Sequence, residues 1–323
     1  MFNIAVIGCG WVASACHGPA YVEYAASHPE INLAACCDVD SERADAYRRR
    51  FGFHRGYTNY SEMLEKERPH AVCLNVPPPL TSAMGCSILR LGYPLLTEKP
   101  PGLDLVQIDA LIASAGSPPV PNQVAFNRRW MPLMNEMKRR MAQMSLHHLD
   151  VRLARVHRTD ATFGTTAIHV IDAARYLVEG DYQQLGFFYR ELPEVGPGVA
   201  NFELAGTFTN GISIHLGIYP TAGANSEQFT AYGLDTIANI EAFHSPDNPA
   251  HLREYQAGRL VLDEDAYQMT GRREEYYLNG FYHQAAAFFD AVQAGKPPSP
   301  DLHASRQSVE IMQAIIERKT SLF

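Results

Sequence analysis

The sequence predicts an α/β fold: a Rossmann doubly wound parallel sheet followed by an α+β domain with a large, mostly antiparallel open sheet. Three observations predict it. Short apolar runs alternate with helix-length segments through the first third of the chain. A Gly8-x-Gly10-x-x-Ala13 signature follows the first of these runs directly. Beyond about residue 185 the strand-like runs are joined by turns instead of helices.

The runs in the first third are Ile4–Ile7, Ile31–Cys37, Ala71–Val76, Leu95–Thr97 and Val120–Ala125. Wholly apolar strands suit a sheet covered on both faces, and strands alternating with helices imply βαβ units. Helices are expected from about Ala13 to Ala26, over Ser41–Phe51 with Ser41 as N-cap, and over Leu103–Ala115 with Asp104 as cap. After Ala125 come a charged helix to about Met144, an alternating strand Leu149–His157 and a helix Thr165–Val178. Strand-like runs follow at 185–192, 199–208, 212–218 and 229–232, with Asn210-Gly211 as a hairpin turn. Tyr282–Ala294 and Ala304–Lys319 close the chain. Residues 1–122 are therefore expected to form one domain and 123–323 another.

The glycine signature has a physical reading. Gly8 permits the tight turn, Gly10 admits a pyrophosphate close to the backbone, and small Ala13 allows tight helix–strand packing. The positive end of the first helix then faces the phosphates. Trp11 and Val12 belong to the same loop. The Trp11 side chain is bulky for that place and is expected to pack away from the cofactor, with no chemistry of its own. Asp38 ends the second strand, suited to accept hydrogen bonds from the adenosine ribose and to repel a 2′-phosphate. Val39, not an arginine, follows it. NAD is therefore the expected cofactor, with NADP left open. The alternative for Asp38 or Asp40 is to cap the next helix, which is compatible with the cofactor role.

Lys99 stands out chemically. The chain has five lysines, Lys66, Lys99, Lys138, Lys296 and Lys319. Lys99 ends the apolar run Leu95-Leu96-Thr97 within Glu98-Lys99-Pro100. A lysine can change protonation state when desolvated, which an arginine cannot.

The 323 residues are 46% hydrophobic and 19% charged, with a formal charge of −8. That balance argues against nucleic acid as a partner. No apolar run reaches the roughly 18 residues of a membrane span, and Met1–Ile7 lacks a basic leader. The six cysteines lie within the first 86 residues without a C-x-x-C pair. Free buried thiols, a cytoplasmic location and no metal site are the expectation.

Six segments together resemble the glucose–fructose oxidoreductase/inositol dehydrogenase (Gfo/Idh/MocA) family. They are Gly8–Ala13, Asp38–Ala44, Glu98-Lys99-Pro100, Asn127–Pro132, Ile168–Leu177 and Ala287–Pro298. The resemblance implies a nicotinamide cofactor, a sugar, polyol or cyclitol substrate, and homo-oligomers packed through the open sheet. It implies a cofactor set of Gly8, Gly10, Trp11, Val12, Ala13, Asp38, Asn75, Pro77, Glu98 and Lys99, with Glu98 near the nicotinamide ribose. It makes Lys99 and His169 the expected catalytic pair, with Asp172 and Thr165 in support and Arg128 a substrate contact. For Arg128 and Arg129 the alternative is an ion pair at the domain junction. For Asp172 it is a structural hydrogen bond.

Two departures stand out. Thr165 occupies the position, four residues before His169, where family dehydrogenases usually place an aspartate. Thr81 stands where the family often has a histidine. These keep two other functions open beside the dehydrogenase: transient oxidation supporting elimination or glycoside cleavage, and a non-catalytic nucleotide-binding sensor.

Overall fold

The computed structural model describes residues 1–160, 162–243 and 249–323. They form two compact units: Met1–Asn127 with Glu274–Val309, and Arg128–Arg273 with Glu310–Phe323. The first chain crossing thus falls at 127/128, and a C-terminal stretch returns to the first unit.

That unit holds β1 (Phe2–Ile7), α1 (Gly18–Ser27), β2 (Ile31–Cys37), α2 (Ser41–Phe51), β3 (Arg55–Tyr57), α3 (Tyr60–Glu67), β4 (Ala71–Leu74), α4 (Pro78–Arg90), β5 (Leu95–Thr97), α5 (Leu105–Ala115) and β6 (Asn122–Val124). The strands form one parallel sheet in the order β3-β2-β1-β4-β5-β6. This is the doubly wound Rossmann order, whose direction of winding reverses between β1 and β4. The apolar strands are buried because helices cover both faces.

Three local expectations change. The first helix is split: Ala13–His17 makes a π-helical turn before α1 begins. Asp40, not Ser41, caps α2, accepting from the Glu42 and Arg43 amides. Trp11 is 78% exposed and so packs against no core. Asp104 caps α5 as expected, accepting from the Gln107 amide.

The returning stretch earns its place by apolar burial. Among the last elements, α9 (Glu275–Leu278) and α10 (Phe281–Gln293) belong to this unit. Ala285, Phe288 and Phe289 join Phe2, Tyr21 and Tyr24 in one core. Each fully buried phenylalanine contributes about 1.5–3 kcal/mol of transfer free energy. The Tyr24 hydroxyl donates to Asp290 at 2.5 Å, and the Leu302 amide donates to Asn122 at 2.9 Å.

The second unit carries α6 (Pro132–Met141), β7 (Leu146–Ala154), α7 (Gly164–Val178), β8 (Tyr182–Glu191), β9 (Ala200–Phe208), β10 (Ser213–Tyr219), β11 (Ser226–Gly233), β12 (Thr236–Phe243), β13 (His251–Gln256), β14 (Arg259–Asp265) and α8 (Ala266–Thr270). A helix α11 (Leu302–Ile316) and the short β15 (Ser321–Leu322) end the chain. The nine strands run β14-β13-β12-β11-β7-β10-β9-β8-β15, all antiparallel except β7 beside β10. One face is apolar: Leu149, Val151 and Leu153 align with Ile214, Leu216 and Ile218. The other carries His148, Asp150 and Arg152, the alternation of a half-solvated sheet. Asn210-Gly211 does turn β9 into β10, with Gly211 at φ 84° and its amide bonded to the Phe208 carbonyl. The strands β12 to β14 had no counterpart in the sequence-based expectation.

Candidate active site

The first unit's site is built at the carboxyl ends of three neighbouring strands. β1 ends in Gly8-Cys9-Gly10, β4 leads into Asn75, and β5 leads into Glu98-Lys99. Gly8 is fixed by geometry: its φ is 90°, and a Cβ there would lie 2.2 Å from the Asn75 carbonyl oxygen. Gly10 is the opposite case, since a Cβ there would meet nothing within 4 Å. The loop therefore leaves room beside Gly10. Gly8→Ala is expected to destabilise the fold by about 2–4 kcal/mol, through a left-handed φ and a backbone collision. Gly10→Ala is expected to leave the unfolding midpoint unchanged and to weaken NADH binding at least about tenfold. Differential scanning fluorimetry and NADH titration separate the two; a destabilised Gly10 variant would contradict this reading.

Asp38 is buried and held by two amides. Its Oδ2 accepts from Cys9 N at 2.9 Å and its Oδ1 from Asp40 N at 3.0 Å. A carboxylate has about four lone-pair sites, so acceptor capacity remains for a ligand hydroxyl. Val39 beside it is 92% exposed. Asn75 Nδ2 is buried without a hydrogen bond, although it bears on the Tyr21 hydroxyl. An orphaned donor at the switch point and open space at Gly10 fit a bound dinucleotide. Pro77 caps α4 in extended conformation, and Pro78 and Pro79 open that helix.

Lys99 is half-buried, and its backbone amide donates to Glu98 Oε2 at 3.1 Å. Glu98 Oε1 lies 2.6 Å from His17 Nε2. Burial pushes the Glu98 carboxyl up, but the His17 hydrogen bond and charge, followed by the Lys99 charge, hold it below the ordinary glutamate value. A depressed carboxyl contributes stability above its unfolded value of about 4.3. That contribution is lost as pH falls through the folded value. His17 was absent from the sequence-based site. The only sequence signal was its position four residues beyond Ala13, one turn into the first helix.

The second unit presents its candidates along α7. His169 is buried at 9% exposure, and Asp172 is fully buried. Asp172 receives both arms of Arg129, Nε and Nη2, each at 2.7 Å. That bidentate pair is the structural hydrogen-bonding role. Arg128 is likewise engaged in an ion pair, Nε to Glu227 Oε2 at 3.0 Å and Nη2 to Oε1 at 2.6 Å. Thr165 lies in the first turn of α7, its amide bonded to the Thr162 carbonyl at 2.9 Å. Among the described residues no group of three or more His, Cys, Asp or Glu is arranged to hold a metal ion. No described helix is long and apolar enough to cross a membrane. Cys9, Cys36, Cys37, Cys73 and Cys86 are buried free thiols.

Comparison with known proteins bears on both units. The profile of an oxidoreductase family with an NAD-binding Rossmann fold matches residues 2–126. The profile of that family's C-terminal α/β domain matches residues 154–321. D-apiose dehydrogenase of Paraburkholderia graminis is 30% identical over 138 residues, 43% of this chain. The match spans only about a third of that curated relative, 36% of its length. Among solved structures, a dehydrogenase from Chromobacterium violaceum superposes with a TM-score of 0.84 at 19% identity, over 98% of this chain and 94% of its own. A levoglucosan dehydrogenase in complex with NADH and levoglucosan gives 0.81 at 19% identity, over 99% and 98%. These likenesses establish the fold, and the two profile matches establish the lineage. The chain is a member of the Gfo/Idh/MocA oxidoreductase family.

Proposed function

We propose that the protein is an NAD-dependent dehydrogenase that oxidises a CH–OH group of a sugar, polyol or cyclitol. One observation carries this reading. The adjacent strands β1, β4 and β5 deliver the glycine loop, Asn75 and Lys99 to the same edge of one sheet. Cofactor recognition and a titratable amine thus share one place. The sugar-acting relatives named above support the substrate class.

In the proposed reaction Lys99 Nζ, uncharged, takes the hydroxyl proton of the substrate as its C–O bond becomes a carbonyl. A nicotinamide held by the Gly8–Ala13 loop and Asp38 would supply the acceptor for the hydride leaving the same carbon. Glu98 keeps a negative charge beside Lys99. Asp38 receives the adenosine ribose hydroxyls and disfavours a phosphate on that ring. The His169 assignment rests on the family resemblance: it hydrogen-bonds a substrate oxygen. Asp172 and Arg128 are assigned to holding Arg129 and Glu227, and Thr165 carries no proton. Homo-oligomerisation through the half-solvated face of the nine-stranded sheet belongs to the same proposal.

A panel of sugars, polyols and sugar acids, screened for NADH formation at 340 nm, tests the reading. At least one polyhydroxy compound is expected to yield NADH. A panel without any turnover would remove it. The cofactor assignment has its own test: NAD is expected to be preferred, and an NADP preference of about tenfold, near 1.4 kcal/mol, would refute the role of Asp38.

A further inference from the structure

The π-helical turn Ala13–His17 directly follows the glycine loop. Such turns recur at functional sites because they re-aim a side chain. Here the turn drives His17 into the interior, where it is fully buried. Its Nε2 meets Glu98 Oε1, and its Nδ1 lies 3.2 Å from the Tyr21 hydroxyl, also fully buried. The edge of the assembly is closed by Phe281, whose ring stands at 82° to the imidazole with centroids 5.0 Å apart. Tyr21 stays neutral, since burial first and the neighbouring Cys73 and Tyr47 next push its ionisation far up. A carboxylate only accepts, so the Nε2–H donates to Glu98, and Nδ1 shares a hydrogen bond with the Tyr21 hydroxyl. The second Glu98 oxygen is occupied by the Lys99 amide.

We infer that His17 is a positioning residue for Lys99: by binding Glu98 Oε1 it fixes the carboxylate against the Lys99 backbone and keeps a constant charge beside the amine. This rests on the proposal that Lys99 handles the substrate's proton. A buried carboxylate with one oxygen stripped of its donor reverts toward the neutral acid. Glu98 is such a group, with burial as its largest perturbation and His17 as its main counterweight. The titratable groups facing it are His17 from the π turn and Lys99 from the β5 exit. Tyr21 from α1 faces His17, and Cys73 from β4 faces Tyr21. From α10 the contact is Phe281, which does not titrate.

The test follows the Glu98 carboxyl by 13C NMR, assigned through E98Q, alongside pH profiles of kcat/KM. H17L removes the donor and H17N draws it back from Glu98 on a shorter side chain; H17Q restores an N–H that reaches Glu98. In the two breaking variants the Glu98 titration is expected to rise by about one pH unit or more, a tenfold change in its ionisation equilibrium. Where Glu98 thereby becomes neutral, Lys99 loses the negative charge that favours its ammonium form, so the acidic limb of kcat/KM moves down, while H17Q stays near wild type. In an E98Q background H17N adds no further loss in kcat, because contacting residues in one network are not additive. An unmoved Glu98 titration in either folded breaking variant overturns the inference, as does additive loss in the double variant. H17N, polar and smaller, answers if H17L does not fold. Absence of turnover in the wild type would count against the dehydrogenase proposal alone, because the carboxyl titration reads the coupling without any substrate.

Discussion

Lys99→Met is expected to lower kcat by roughly 10²–10⁴-fold, the range supplied by a positioned proton acceptor. Methionine keeps the length and apolar stem of lysine, so the half-buried side chain loses its amine and little packing. The loop that would hold the cofactor is untouched: Gly8 and Gly10 follow β1 and Asp38 follows β2. NADH affinity is therefore expected to stay within about threefold, less than 1 kcal/mol. Steady-state kinetics and NADH fluorescence titration measure the two quantities separately. Turnover retained in the variant would remove Lys99 from the chemistry. Equal losses in turnover and NADH affinity would make it a cofactor ligand instead.

The largest expected effect on stability lies in the second unit. Glu227 is 1% exposed and projects from the apolar face of β11, in line with Phe229 and Ala231. It is held there by Arg128 and by Arg155, which donates to the same Oε1. Arg155 also donates through Nη1 to the Ala154 carbonyl at 2.8 Å. Removing the one carboxylate would leave two guanidinium groups in a nearly dry setting. Breaking a buried pair in this way costs about 3–5 kcal/mol. Glu227→Ala is therefore expected to lower the unfolding free energy by that amount in urea titrations. A loss below about 1 kcal/mol would mean that water or relaxation compensates both arginines. Arg128→Met with Glu227→Met removes both members of one pair. It is expected to cost less than Glu227→Ala alone, because fewer buried charges stay uncompensated.

The parallel sheet was legible because its strands are short, wholly apolar and spaced by helices. Gly8 was legible because only glycine relieves its collision with Asn75. The hairpin at Asn210-Gly211 carried the strongest short-range turn signal. Strands β12 to β14 were not legible. β14 is largely exposed along its length, and charged residues such as Arg253 and Asp263 pair across β13 and β14. Their turn uses Ala257-Gly258, with Ala257 at φ 48°, in place of an asparagine. Helix α4 was hidden by Pro77-Pro78-Pro79, which reads as loop although proline suits the first helical turn. The return of 274–309 was hidden because its apolar helix shows that it is buried, not against what.

In the site, residues fixed by local chemistry were legible and those fixed by distant partners were not. Gly8, Gly10, Asp38 and Lys99 announce themselves through motif and strand position. His17 depends on Glu98, 81 residues away. For Arg128 and Asp172 the ion-pair and structural hydrogen-bond alternatives were legible, but their partners, Glu227 and Arg129, lie 99 and 43 residues away respectively and were not. No periodicity marks such pairs. The sequence left both Ser41 and Asp40 open as the cap of α2, because both are good capping residues and only the backbone settles which one stands outside the helix.

The most direct measurement is the stoichiometry of NADH formed to substrate consumed, taken on the best substrate of the panel with wild type and Lys99→Met in parallel. Equimolar NADH from the wild type, with neither product nor NADH from the variant, is the expected result. Substrate loss without NADH would replace net oxidation by a transient one. Nucleotide binding without consumption of any compound would make the protein a sensor, and would contradict the proton-accepting role given to Lys99.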